Sequence, residues 1–180
     1  MSSALHHCGT VFTIGHSTRS LAQFTELLTV HSVQVLADVR RFPYSRKYPH
    51  FNTDVLRNSL AESNIVYRHY PGLGGRRRPN PDSRNTAWRN ASFRGYADYM
   101  ETAVFQTAIQ EFQEDALRRV CAVMCSEAVW WRCHRALIAD FLTARGWQVL
   151  HILSSSTVEE HSYTEPARIE NNRVVYTPSP

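Results

Sequence analysis

VCAVMCSEAVWWRCHRALIADFLTAR, residues 120–145, divides into an apolar run, a polar break and a second apolar run with a different period. Residues 120–124 have the length and composition of a buried strand, which Cys125, Ser126 and Glu127 interrupt. Beyond the break Leu137, Phe141 and Ala144 recur at three- and four-residue spacing, which predicts an amphipathic helix. Gly146 supplies its stop. A strand end leading into a helix start is where α/β proteins hold ligands, because unpaired N–H groups and the helix dipole converge there. Cys125, Glu127, Cys133, His134 and Arg135 fall at this junction, flanked by Trp130 and Trp131.

The same alternation recurs on both sides. Upstream, residues 11–14 read as a first strand stopped by Gly15, His16 and Ser17, and Ser20 with Gln23 forms a capping-box pattern ahead of a helix. Residues 33–38 form a second, almost wholly apolar strand, as expected where a parallel strand is covered on both faces. A short helix capped at Asn52 or Thr53, with Val55, Leu56 and Leu60 inward, leads to a third strand at 65–67. Residues 71–90 form the longest loop, and 92–115 are helical with a break near Glu101 and Thr102. Downstream, residues 149–153 make a fifth strand. These units predict an α/β fold, a three-layer sandwich whose mostly parallel sheet of about five strands carries helices on both faces. Residues 1–9 are expected to be a flexible terminus, 10–156 one domain, and 157–180 a tail packed on it with an edge strand near 173–176.

No apolar run reaches the roughly 18 residues of a membrane span. The opening MSSALHHCGT has neither the basic nor the apolar part of a secretory signal, so a cytoplasmic protein is expected. In that compartment the four cysteines are not expected to form a disulfide framework. Net charge is +4, and Lys47 is the single lysine among 20 basic side chains. A GC-rich genome accounts for some of that bias. The arginines also cluster in the loops, at Arg40, Arg41 and Arg46 and again at Arg76, Arg77 and Arg78, interleaved with Tyr44, Tyr48, Trp88, Phe93 and Tyr96. Planar cations among flat rings suit phosphates and bases.

Groups carrying chemistry fall at the predicted C-terminal ends of strands: His16 and Ser17; Asp38 with Arg40 and Arg41; Gly74, Gly75 and Arg76; Cys125 with Glu127. In an open parallel sheet these ends face one crevice. Glu127 and Asp38 are the candidate catalytic carboxylates, although Asp38 could equally pair with Arg40 or Arg41. Cys125 and Cys133 could be activated thiols, zinc ligands with His134, or small packing groups; the C-x7-C-H spacing matches no common zinc pattern. Trp131 is a candidate wall for a base. The Gly74-Gly75 pair lacks a P-loop ending and no dinucleotide fingerprint follows the first strand, which excludes ATP hydrolysis and dinucleotide redox chemistry.

The GHS turn at 15–17, Asp38-Val39-Arg40 followed by Pro43, Leu73-Gly74-Gly75, and Cys125 with Glu127 ahead of Cys133-His134-Arg135 together resemble the domain of unknown function 488 family. The resemblance runs on to His151, Ile152 and His161. It implies an α/β sandwich and no settled activity.

The residues themselves lead to an expected enzyme acting on a nucleobase in nucleic acid, DNA above all, or in a phosphorylated small molecule. The specific expectation is a hydrolase cleaving an N-glycosidic bond in the manner of a DNA glycosylase, without metal or cofactor. Glu127 or Asp38 would stabilise the sugar cation or activate water. His16, Ser17, Arg40, Arg41, Tyr44, Gly74, Gly75, Arg76, Cys125, Trp131, Cys133, His134 and Arg135 would surround the substrate. A non-catalytic nucleic-acid-binding module and a thiol-dependent transferase or redox protein are the alternatives.

Overall fold

The computed structural model describes residues 8–178. Of the expected flexible terminus, residues 1–7 lie outside that range. Cys8 is tied down by its N–H to the Gly146 carbonyl at 3.0 Å, and Gly9 already opens β1.

Strands and helices alternate as β1 (Gly9–Gly15), α1 (Leu21–Val30), β2 (Val35–Asp38), α2 (Thr53–Glu62) and β3 (Val66–His69). They continue as α3 (Ala91–Met100), α4 (Ala103–Ala116), β4 (Cys121–Cys125), α5 (Arg135–Thr143) and β5 (Trp147–Ile152). Ser20 caps α1 in the capping box that its sequence announces, with Gln23 reciprocating. Asn52 sits at the start of α2 without capping it, because its side-chain oxygen accepts the Ser45 N–H at 2.6 Å. Val55 is exposed on α2, while Leu56 and Leu60 face the core. Thr102 ends the predicted long helix by capping α4, so the break near Glu101 is a true boundary.

The sheet has six strands in the order β3-β2-β4-β1-β5-β6, where β6 (Val158–Glu160) pairs antiparallel with β5 and the other pairings are parallel. The tail thus contributes the edge strand at 158–160. Residues 173–175 instead form β8 (Arg173–Val175), which pairs with β7 (Arg168–Glu170) in a separate hairpin. Two apolar clusters cover opposite faces of the sheet. Phe24, Leu28, Leu56 and Leu60 from α1 and α2 meet Ile14, Leu36, Ala122 and Met124 on one side. Phe105, Phe112, Leu137 and Phe141 from α4 and α5 meet Val35, Val123 and Val149 on the other. Alternate residues of each strand therefore serve different layers.

α5 departs from its predicted amphipathic character. Every residue from Arg135 to Leu142 is buried, including Arg135 and Asp140, because α3, β8 and the sheet enclose it. No helix among the described residues is long and apolar enough to cross a membrane.

Candidate functional site

The connection leaving β1 runs towards β2, on one side of the sheet, and the one leaving β4 runs towards β5, on the other. β1 and β4 are neighbours, so the backbone parts at their C-terminal ends and opens a crevice there. The ladder continues past the strands: the His16 N–H meets the Cys125 carbonyl at 3.0 Å and the Ser17 N–H meets the Ser126 carbonyl at 3.1 Å. Gly15 permits this approach, since a Cβ there would stand 1.8 Å from the Glu127 carbonyl oxygen.

A cleft of about 800 Å³ occupies the crevice. It is lined by His16, Ser17, Arg40, Arg41, Tyr44, Gly75, Arg76, Cys125, Glu127, Cys133 and His134 from the sequence-derived set, with Lys47, Tyr48, Phe93, Tyr96 and Arg132 beside them. Asp38, Gly74, Trp131 and Arg135 are not among the lining residues.

Asp38 is fully buried. Its carboxylate accepts from Arg40 Nε at 2.9 Å, the Arg40 backbone N–H at 3.0 Å and the Tyr67 hydroxyl at 2.7 Å. A carboxylate so occupied and shielded holds the loop after β2 and lies outside the cleft lining, the pairing with Arg40 being the alternative its sequence also offered. Arg40 passes the order outward, donating to the Phe51 carbonyl at 2.8 Å and approaching His16 Nε2 at 3.4 Å. His16 stacks on Phe51 with ring centroids 4.2 Å apart and faces the Ser17 carbonyl through Nδ1 at 3.0 Å. Burial and then the Arg40 charge push its pKa down to about 4, so it is a neutral imidazole at the cleft wall.

The thiols lie deeper. Cys125 closes β4, and Cys133 stands two residues before α5, after a 3-10 turn at Trp130–Arg132; neither thiol is in the first turn of a helix. Their sulfurs are 2.7 Å apart. Arg135, 1% exposed, donates from Nε to Cys125 Sγ at 2.9 Å, from Nη2 to the Glu127 carbonyl at 2.6 Å and from Nη1 to Thr13 Oγ1 at 3.2 Å. Arg135 therefore organises the floor from beneath and is not itself a lining residue. His134 turns Nε2 to the Val39 carbonyl at 3.1 Å and Nδ1 to Cys133 Sγ at 3.4 Å. Gly75 packs directly on that ring: a Cβ there would be 2.8 Å from His134 Nδ1. Gly74 makes room in the same way for the Arg41 backbone.

Glu127 is exposed and is the single carboxylate among the cleft-lining residues described. Phe42 and Tyr44, 62% and 74% exposed, line the same cleft. The tryptophan pair divides into one buried and one exposed ring, and neither lines the cleft. Trp130 packs inside, stacked on His151 at 4.3 Å, and Trp131 is exposed away from the cleft. The 71–90 loop is held against α3, where Asp98 accepts from the Asn80 N–H, the Ser83 hydroxyl and the Asn85 amide, and Tyr96 and Tyr99 donate to the Leu73 and Gly72 carbonyls.

Sequence reasoning missed the support behind Arg135. Thr13 Oγ1 lies 2.7 Å from His151 Nδ1, His151 Nε2 lies 3.0 Å from His161 Nδ1, and His161 Nε2 lies 2.9 Å from Asp140 Oδ1. One orientation satisfies every atom: each group donates to the next, from Arg135 through Thr13, His151 and His161 to Asp140. Thr164 and Tyr176 of the tail complete the Asp140 carboxylate, at 2.6 and 2.8 Å. The available signal was a lone Asp140 inside an apolar helix and a lone His151 inside an apolar strand.

A second depression of about 900 Å³ lies along α4, where Arg68, Tyr70 and Asp115 bind one another. It holds none of the thiols or imidazoles of the first cleft; its own imidazole, His69, faces the Arg40 carbonyl at 2.8 Å. Among the described residues no three His, Cys, Asp or Glu side chains converge as a metal site.

No curated protein and no solved structure matches the chain. The family described as "Domain of unknown function DUF488" matches residues 20–142, which include the Asp38–Pro43 loop, the Leu73-Gly74-Gly75 turn and the whole stretch from Cys125 to Arg135. With most of its length covered, and with the cleft built largely from the matched residues, the chain belongs to the DUF488 family.

Proposed function

We propose that the cleft takes a phosphate-bearing nucleotide, free or within a nucleic-acid strand, and hydrolyses its N-glycosidic bond with Glu127 as the reacting carboxylate. The observation that carries this reading is the isolation of Glu127 among cations: it is the single carboxylate described in a cleft whose rim presents Arg41, Lys47, Arg76 and Arg132. Cleavage of that bond develops positive charge on the sugar, and one nearby carboxylate stabilises it or activates water. The rim cations hold flanking phosphates, and Phe42 and Tyr44 offer faces on which an extruded base stacks. Asp38 takes no part in this version.

The test is release of free base from duplexes carrying damaged or modified bases and from nucleoside monophosphates. Glu127→Gln should lower turnover by roughly 100-fold or more while leaving affinity in place. Affinity for the duplex should also fall steeply with salt, as several phosphate contacts require. Steep salt dependence without base release from any substrate would instead leave a nucleic-acid-binding module.

A further inference from the structure

Arg135 is 1% exposed, yet no Asp or Glu among the described residues forms an ion pair with it. The nearest carboxylate along its hydrogen bonds, Asp140, is separated from it by Thr13, His151 and His161. A guanidinium withdrawn from water needs a compensating anion or a full set of acceptors. The group in direct contact that can supply negative charge is the sulfur pair: Cys125 Sγ receives Arg135 Nε at 2.9 Å and the Glu127 N–H at 3.3 Å, and lies 2.7 Å from Cys133 Sγ. Two sulfurs in contact beside a cation with no carboxylate partner suit a thiol–thiolate pair.

We propose that Cys133 and Cys125 form a redox-active dithiol on the cleft floor that exchanges with small anionic disulfides, Cys133 attacking and Cys125 resolving. The two positions differ in a way that fixes these roles. Cys133 is the more exposed of the two, at 5% against 2%, and faces His134 Nδ1, while Cys125 is held from behind by Arg135 and the Glu127 amide. Because His134 Nε2 faces the Val39 carbonyl, its Nδ1 is left as an acceptor towards Cys133. Burial alone would raise the Cys133 pKa, but the hydrogen bond from Cys125 and the Arg135 charge outweigh it and bring it to about 7. The rim formed by Arg41, Lys47, Arg76 and Arg132 selects a disulfide that carries carboxylates.

In the first step the Cys133 thiolate attacks one sulfur of R–S–S–R, a mixed disulfide forms, and RS⁻ leaves. In the second, Cys125 loses its proton and attacks Cys133 Sγ, the Cys125–Cys133 bond forms, and the second RS⁻ leaves. The pair holds one proton, which ends on one leaving thiolate, and the other leaving thiolate takes its proton from solvent, so thiol–thiolate plus R–S–S–R and H⁺ gives protein disulfide plus two R–SH. Closure joins two sulfurs that are already in contact, so it needs no rearrangement of the elements that carry them. It also removes the anion that balances Arg135, so the reduced form is favoured and the pair is an oxidising one when closed.

This inference does not rest on the glycosidic reading, because it is read on the protein alone with no nucleotide present. The experiment treats the reduced full-length chain with oxidised glutathione, quenches by alkylation and maps the peptides. The expected result is a Cys125–Cys133 disulfide with two glutathione thiols released per chain at this site. Cys125→Ser should stop at a glutathione adduct on Cys133, and cystamine, a cationic disulfide, should react about tenfold more slowly than oxidised glutathione. As a positioning residue, Arg135 replaced by Met should shift the equilibrium towards the closed disulfide by about tenfold, with Arg135→Lys restoring most of the original value. Adducts confined to Cys8, with Cys125 and Cys133 still alkylatable, would overturn the proposal even if every variant misfolded. Cystamine reacting as fast as oxidised glutathione would overturn the assigned substrate class.

Discussion

Arg135 donates from Nε to the sulfur of Cys125 at 2.9 Å while almost wholly excluded from water. A charge at the start of a buried helix is thereby matched to a thiol pair at the end of a strand, and the cleft floor takes its character from that match.

The first consequence concerns thiol titration. The groups facing Cys133 are Cys125, His134, Arg135 and the Tyr96 hydroxyl. Alkylation of Cys133 followed by peptide mapping should rise with pH around a half-point near 7, below the roughly 8.5 of a free thiol. Arg135→Met should move that half-point up by at least a unit; an unmoved half-point would remove Arg135 from the account.

The two candidate carboxylates should separate cleanly by stability. Asp38→Asn breaks a buried pair with Arg40 and weakens the acceptor for Tyr67, so it should cost about 3 kcal/mol. Glu127→Gln alters an exposed side chain and should stay within about 0.5 kcal/mol. Urea unfolding of both variants measures the difference, and equal losses would contradict the division of roles.

Two glycines are required by close approach. Gly15→Ala drives a methyl group into the Glu127 carbonyl, and Gly75→Ala drives one against His134. Each should destabilise by roughly 1–3 kcal/mol, as overpacking does. Gly75→Ala should also alter Cys133 alkylation, since the ring it displaces faces that sulfur. Retained stability and unchanged alkylation in Gly75→Ala would show that the ring is not held as described.

Acid should unfold the protein through its buried imidazoles. Burial and the Arg40 charge depress His16 to about 4, and burial with neighbouring His161 and Arg135 depresses His151 to about 3. Below pH 6.5 the unfolded chain takes up these protons and the folded chain refuses them. The unfolded state therefore binds more protons, and stability falls as pH drops from about 6.5 to about 3, the His16 share being complete by about 4. Unfolding free energies measured across that window should decline, and His16→Gln should flatten the decline.

Much of the scaffold was written locally. The strand at 120–124, which forms as Cys121–Cys125, is readable from its apolar run, the start of α1 from Ser20 and Gln23, and the break before α4 from Thr102, because each depends on residues within one turn or strand. The crowding of His16, Cys125 and Glu127 at strand ends was legible for the same reason. Asp38 was legible only as two alternatives, since ligand contact and pairing with Arg40 demand the same residues in sequence and differ only in burial.

Local order along the chain accounts for the alternation of elements and for the groups that fall where strands stop, both consequences of short-range periodicity and chain breaking. Tertiary structure alone decided that β1 and β4 are neighbours, that α5 is enclosed on all sides, and that Arg135 finds a sulfur where a carboxylate would be the usual partner. Strand order and the pairing of buried charges are set by distances through space between residues far apart along the chain, such as Thr13 and Arg135, and no local pattern encodes those distances.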